Sequence, residues 1–123
     1  MQRLSTAQAI VLALGTFLGL WHLWFAANAL FVFREGEPWT SWVAVLAGPG
    51  ATFGLLVISI AYMRVSAVAL CSFALVGLIA LFIESGPDYS IVIWYFVQIT
   101  LPMAVLGVAL LAVSRADTLE TAA

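Results

Sequence analysis

"AQAIVLALGTFLGLWHLWFAANALFVF", residues 7–33, carries no charged side chain and holds the only histidine of the chain. At about 1.5 Å per helical residue it is long enough to cross the roughly 30 Å hydrocarbon core of a bilayer. Three further uncharged runs follow, at 39–63, 65–83 and 89–114. Each exceeds the roughly 18 apolar residues that mark a spanning helix. In lipid an open strand leaves its backbone polar groups without partners, and the alternation that a closed barrel requires does not occur. The expected fold class is therefore all-α, a polytopic membrane protein forming one membrane domain over 1–123, built as a four-transmembrane-helix antiparallel bundle.

Composition agrees. The 123 residues are 65% hydrophobic and 8% charged, against about 25% charged in soluble domains. The lipid bilayer is thus the first expected partner. Net charge is −2, and the four basic residues are all arginine. No basic patch exists, which excludes nucleic acid as a partner. Cys71 is the single cysteine, so neither an internal disulfide nor a CxxC pair can form. The arginine-only, alanine- and leucine-rich composition points to a bacterial inner membrane. Arg3 and the small-x-small triplet Ala27-Asn28-Ala29 imitate a signal peptide. However, the apolar run is longer than the usual h-region of about 7–15 residues and continues through Phe33, so the first span is expected to be retained.

The punctuation is sharp. Ser5-Thr6-Ala7-Gln8 fits a capping box at the start of helix one. "REGEP" (34–38) and "ESGPD" (84–88) read as turns, while Arg64 alone separates the second and third runs and implies a tight hairpin. In a four-pass topology Arg3, Arg64 and Arg115 share one side and Arg34 takes the other. The positive-inside rule then places the N- and C-termini in the cytoplasm of a multi-pass cell-membrane protein. Trp39, Trp42, Tyr89, Trp94 and Tyr95 gather toward the opposite boundary, as interfacial aromatics do.

Small residues mark the expected contact faces. Gly15, Gly19, His22, Ala26 and Ala29 recur at spacings of three and four, and Gly15 and Gly19 form a GxxxG pair. Gly50 and Gly54 form a second pair in line with Ala47 and Ala61; the third run offers Ala67, Cys71, Ala74 and Gly77. Such stripes let backbones approach closely, within a bundle or at the seam of a homodimer or larger membrane complex. All four glycines of the two pairs are expected at helix contacts.

His22 lies on the first stripe and so faces protein, about 16 Å below the outer end of its run and near the midplane. Gln98 and Cys71 reach the same level. Pro102 lacks an N–H, which leaves the Gln98 carbonyl without its helical donor, and Pro49 does the same to Val45. A charge near the bilayer centre costs at least about 2.5–3.5 kcal/mol. His22 is therefore expected to be neutral at pH 7 and to bond the Gln98 side chain. His22, Gln98, Asn28 and Cys71 are the candidate ligand- or ion-binding residues. Trp21, Trp24, Phe25 and Phe31 either line an apolar groove or face lipid.

No nucleophile–base pair, phosphate loop or metal motif is present, and no enzyme activity is assigned. No cofactor is expected: axial haem ligation by two histidines would need a dimer, and zinc finds no ligand set. Length and span count are similar to those of small multidrug carriers and dual-topology fluoride channels. The likeness is one of size alone, since the carriers' membrane-embedded glutamate has no counterpart in helix one. Two functions lead: a subunit, partner-binding or assembly factor of a membrane system, or a small homo-oligomeric carrier or channel using the His22–Gln98 layer; a membrane enzyme comes third, because one deep histidine gives a proton acceptor without a partner. For topology, a C-terminal alkaline phosphatase fusion should be inactive and a C-terminal green fluorescent protein fusion bright; the reverse pattern overturns the orientation.

Overall fold

The structure, a computed structural model, describes residues 5–33, 36–85 and 89–122, with side chains described to residue 114. Arg3, Arg34, Glu35, Gly86, Pro87 and Asp88 lie outside the described residues, as does the Arg115 side chain. The elements are all helical: α1 Thr6–Val32, α2 Trp39–Ala47, α3 Pro49–Ser59, α4 Met63–Ser85, α5 Tyr89–Tyr95, a π-helical turn Phe96–Thr100, and α6 Leu101–Ala122. Four stretches are long and apolar enough to cross a membrane: Thr6–Val32, Trp39–Ser59, Met63–Ser85 and Tyr89–Ser114.

α1 begins on the capping box, with Gln8 N–H donating to Ser5 Oγ at 3.1 Å and Ser5 N–H to Gln8 Oε1 at 3.0 Å. The connection to α2 bends at Gly36, whose φ of +89° falls where side chains with a Cβ are strained. The second apolar run differs from its sequence reading. It ends at Ser59 rather than at residue 63, and α4 starts at Met63, so Arg64 belongs to the first turn of α4. That run also breaks at Gly48, because the ring of Pro49 cannot donate a hydrogen bond and collides with the preceding turn.

The fourth run is interrupted as well. Pro102 has no N–H to offer, and the preceding turn widens to a π-turn in which Leu101 N–H donates to Phe96 O. Each long stretch packs on its neighbours in sequence, and α1 returns against α6. At the core lie Leu56, Leu70, Tyr95, Ile99, Met103 and Leu110, with Ala67 and Ala74 between them.

Helix contacts run along small residues, with one correction. Gly15 and Gly19 are buried in α1: a Cβ at Gly15 would come within 2.7 Å of Leu56 Cδ1, and one at Gly19 within 3.2 Å of the Phe53 Cα. Ala67, Ala74 and Gly77 form the buried face of α4 with Ser66, Leu70 and Ala80. Gly54, by contrast, is exposed and a Cβ there would meet nothing within 4 Å. Gly50 is half-buried, its nearest neighbour being the Val45 carbonyl across the helix break. The restart at Pro49 turns Pro49, Thr52, Leu56 and Ser59 inward. At 3.6 residues per turn, Gly54 then points to the opposite side.

Two polar contacts tie the helices near their ends. Ser41 Oγ donates to Glu84 Oε1 between α2 and α4, and Arg64 Nε donates to Ser114 Oγ at 3.2 Å between α4 and α6. Replacing Gly19 with leucine should destabilise the fold by about 1–3 kcal/mol through overpacking against Phe53. Gly54→Leu should leave stability unchanged. Thermal unfolding in mild detergent, followed by circular dichroism, checks both; equal losses in the two variants would contradict the placement of Gly54.

Candidate functional site

His22 is completely buried. The Gly15–Gly19 stripe brings α1 onto α3, which carries Thr52 three residues after the restarting proline. His22 Nδ1 lies 2.8 Å from Thr52 Oγ1, and Nε2 lies 3.1 Å from the main-chain carbonyl oxygen of Gln98. A carbonyl only accepts, so the ring proton sits on Nε2 and is donated to it. This carbonyl is the one that Pro102 leaves without a helical donor. The Thr52 hydroxyl is also 3.1 Å from the carbonyl oxygen of Gly48. One continuous line thus runs from the π-turn through His22 and Thr52 to the break in the second apolar stretch.

A second buried group clasps the same break. The Tyr95 hydroxyl donates to the carbonyl of Ala44 at 2.5 Å, one turn before Gly48. It occupies a slot between Gly48 and Gly77, where a Cβ on either glycine would overlap the phenol oxygen. Burying an aromatic ring with a polar tip requires such a partner, and here the acceptor is main chain.

The sequence-derived candidates divide. His22 meets Gln98 through the latter's main chain, a correction to the expected side-chain bond: the proline frees the carbonyl, and the carbonyl does not depend on a rotamer. Asn28 is exposed and donates from Nδ2 to the Trp24 carbonyl at 2.8 Å, within its own helix. Cys71 is half-buried at the α4–α6 contact, its thiol 3.8 Å from the Ala104 carbonyl and close against Gly107. Neither residue hydrogen-bonds His22. The sequence reading does not single out Thr52 or Gly48, places Gly77 on a contact face without its tyrosine partner, and puts Tyr95 at the outer boundary, whereas it is buried. A usable signal was present: Thr52 and Ser59 lie seven residues apart, on one helical face, and hydroxyls in an apolar helix turn toward protein.

The four α1 aromatics that the sequence singles out, Trp21, Trp24, Phe25 and Phe31, divide between the inside and the outside. Phe25 is half-buried and packs on Trp94 with ring centroids 5.0 Å apart. Trp21, Trp24 and Phe31 are exposed, as is Phe17. Among the described residues no group of three histidine, cysteine or carboxylate side chains comes together. What the arrangement offers chemically is hydrogen bonding and proton exchange at one imidazole.

The Tyr95 slot gives a double-mutant test. Gly77→Ala should destabilise by about 1–3 kcal/mol through overlap with the phenol oxygen. With Tyr95→Phe in the same chain the nearest ring carbon, Cζ, stands 3.4 Å from the new methyl, so most of that loss should disappear. Additive losses in thermal unfolding would place the hydroxyl elsewhere.

Comparison of the chain with protein families, with curated proteins and with solved structures finds no match.

Proposed function

We propose that the chain is a membrane-embedded, antiparallel four-helix protein that works without catalysis, as a subunit, partner-binding or assembly factor of a membrane system. In this reading both termini and the turn between Ser59 and Met63 face the cytoplasm. The observation that carries it is the outward face of α1. Leu14, Phe17, Trp21, Trp24 and Phe31 are all exposed and follow spacings of three and four, with Asn28 in the same line. Of the four apolar stretches α1 is the least covered by the rest of the chain. Large aromatics in one line offer a partner a broad, rigid contact area.

A homo-oligomeric carrier or channel is the second reading. It is favoured by two interrupted helices that meet at one imidazole, through the Gln98 carbonyl on one side and the Thr52 hydroxyl on the other, since transporters place interrupted helices around their midplane sites. A photo-crosslinking residue at Trp24, compared with one at Val108 on exposed α6, separates the two in native membranes. Adducts with a different protein at Trp24 and not at Val108 are expected. Adducts containing only this chain would favour the carrier or channel, and identical labelling at both positions would sink the partner-binding face.

A further inference from the structure

We propose that His22 is a proton-binding site, in which Nδ1 takes up a second proton and the reversed Thr52 hydroxyl passes the change to the Gly48 carbonyl. The geometry around the ring carries this. Nε2 faces a carbonyl and holds a proton in every state. Nδ1 faces a hydroxyl that stands at hydrogen-bonding distance from two acceptors at once, Nδ1 at 2.8 Å and Gly48 O at 3.1 Å. A hydroxyl has one hydrogen to give. With neutral imidazole it must donate to Nδ1, which leaves it turned from Gly48. If it donates to Gly48 instead, two lone pairs confront each other across 2.8 Å.

With imidazolium every position is filled: Nε2–H donates to Gln98 O, Nδ1–H to Thr52 Oγ1, and Thr52 O–H to Gly48 O. The proton balance is simple. A hydronium ion gives its proton to the Nδ1 lone pair and leaves as water, while the threonine hydrogen swings from Nδ1 to the carbonyl. No bond between heavy atoms changes.

Among the described residues no carboxylate stands beside the ring to hold the charge. α2, α3 and the π-turn carry no Asp, Glu, Lys or Arg, and α6 carries none before residue 115. On α4 the charged residues are Arg64 and Glu84, which bond Ser114 and Ser41, and the thiol of Cys71 is directed at Ala104 O. α5 supplies Tyr89, exposed, and Tyr95, whose hydroxyl bonds Ala44 O next to the break. The imidazolium is therefore solvated by the Gln98 carbonyl and the Thr52 hydroxyl, the latter backed by the Gly48 carbonyl. Hydrogen bonds to a charged group are about twice as strong as neutral ones. The end of the line is Gly48, where the second apolar stretch is already interrupted, so protonation acts on the one residue of that stretch that has left the helix.

Because the chain has a single histidine, imidazole nitrogen resonances report on this site alone. The full chain, labelled with nitrogen-15 and reconstituted in phospholipid nanodiscs, is titrated from about pH 8 to about pH 4, bracketing the range over which histidine changes charge. Nδ1 should move from an unprotonated to a protonated resonance while circular dichroism keeps its helical signal. Thr52→Val preserves shape but removes the charge-assisted acceptor, and should weaken proton affinity roughly tenfold; Thr52→Ser should restore it. An Nδ1 that stays unprotonated across the range overturns the proposal. So does protonation that occurs only with loss of helix, or a Thr52→Val midpoint unchanged or raised.

Discussion

The hydrogen bond from His22 Nε2 to the Gln98 carbonyl answers a debt created by a proline. In a chain this apolar a main-chain carbonyl has few donors other than its own helix, and leaving it bare inside protein or lipid costs roughly 1–3 kcal/mol or more. Pro102 removes the donor, the turn before it opens into a π-turn, and the imidazole of another helix supplies what is missing. The second break, at Gly48–Pro49, sits on the far side of the same ring, reached through Thr52. Together the two breaks share one side chain.

That arrangement dictates where volume goes. For His22 to reach the π-turn carbonyl and, through Thr52, the break at Gly48, α1 must lie close to α3, and Gly15 and Gly19 make room by presenting no side chain at the contact. Tyr95 reaches the Ala44 carbonyl only because Gly48 and Gly77 leave a slot. The large aromatics of α1 are displaced outward, with Phe17 and Phe31 among the most exposed side chains of the helix. A water-soluble helix is built the other way round, its largest apolar residues inside. Where the surroundings are themselves apolar, burial of a tryptophan gains little, and close backbone approach with satisfied polar groups does the holding.

Much of this was legible in the residues. Four long uncharged runs define the helices, the capping box fixes the start of α1, and the small-residue stripes of α1 and α4 mark their buried faces. Pro102 even identifies the carbonyl that needs a partner. Three things were hidden. The inward face of α3 could not be taken from Gly50 and Gly54, since a helix that restarts after a break sets a new rotation; Thr52 and Ser59 carry that information instead. The partner of His22 on the fourth stretch is main chain, and side-chain inventory does not count carbonyls. Tyr95 looks like an interfacial aromatic because its neighbours Tyr89 and Trp94 are exposed, yet one residue of helical rotation separates Trp94 at 45% exposure from Tyr95 at 4%.

A ring that bonds two broken helices also couples them. Widening the π-turn draws the Gln98 carbonyl away from Nε2, and closing the break at Gly48 moves the carbonyl that the Thr52 hydroxyl faces. Either displacement shifts the ring or costs a buried hydrogen bond, so the two breaks are linked through one hydrogen-bonded side chain. Tyr95 reinforces the link, because it leads directly into the π-turn and its hydroxyl grips the carbonyl of Ala44 on the other helix. α1 then stands apart. It contributes one buried polar side chain to this centre while turning its aromatic row outward.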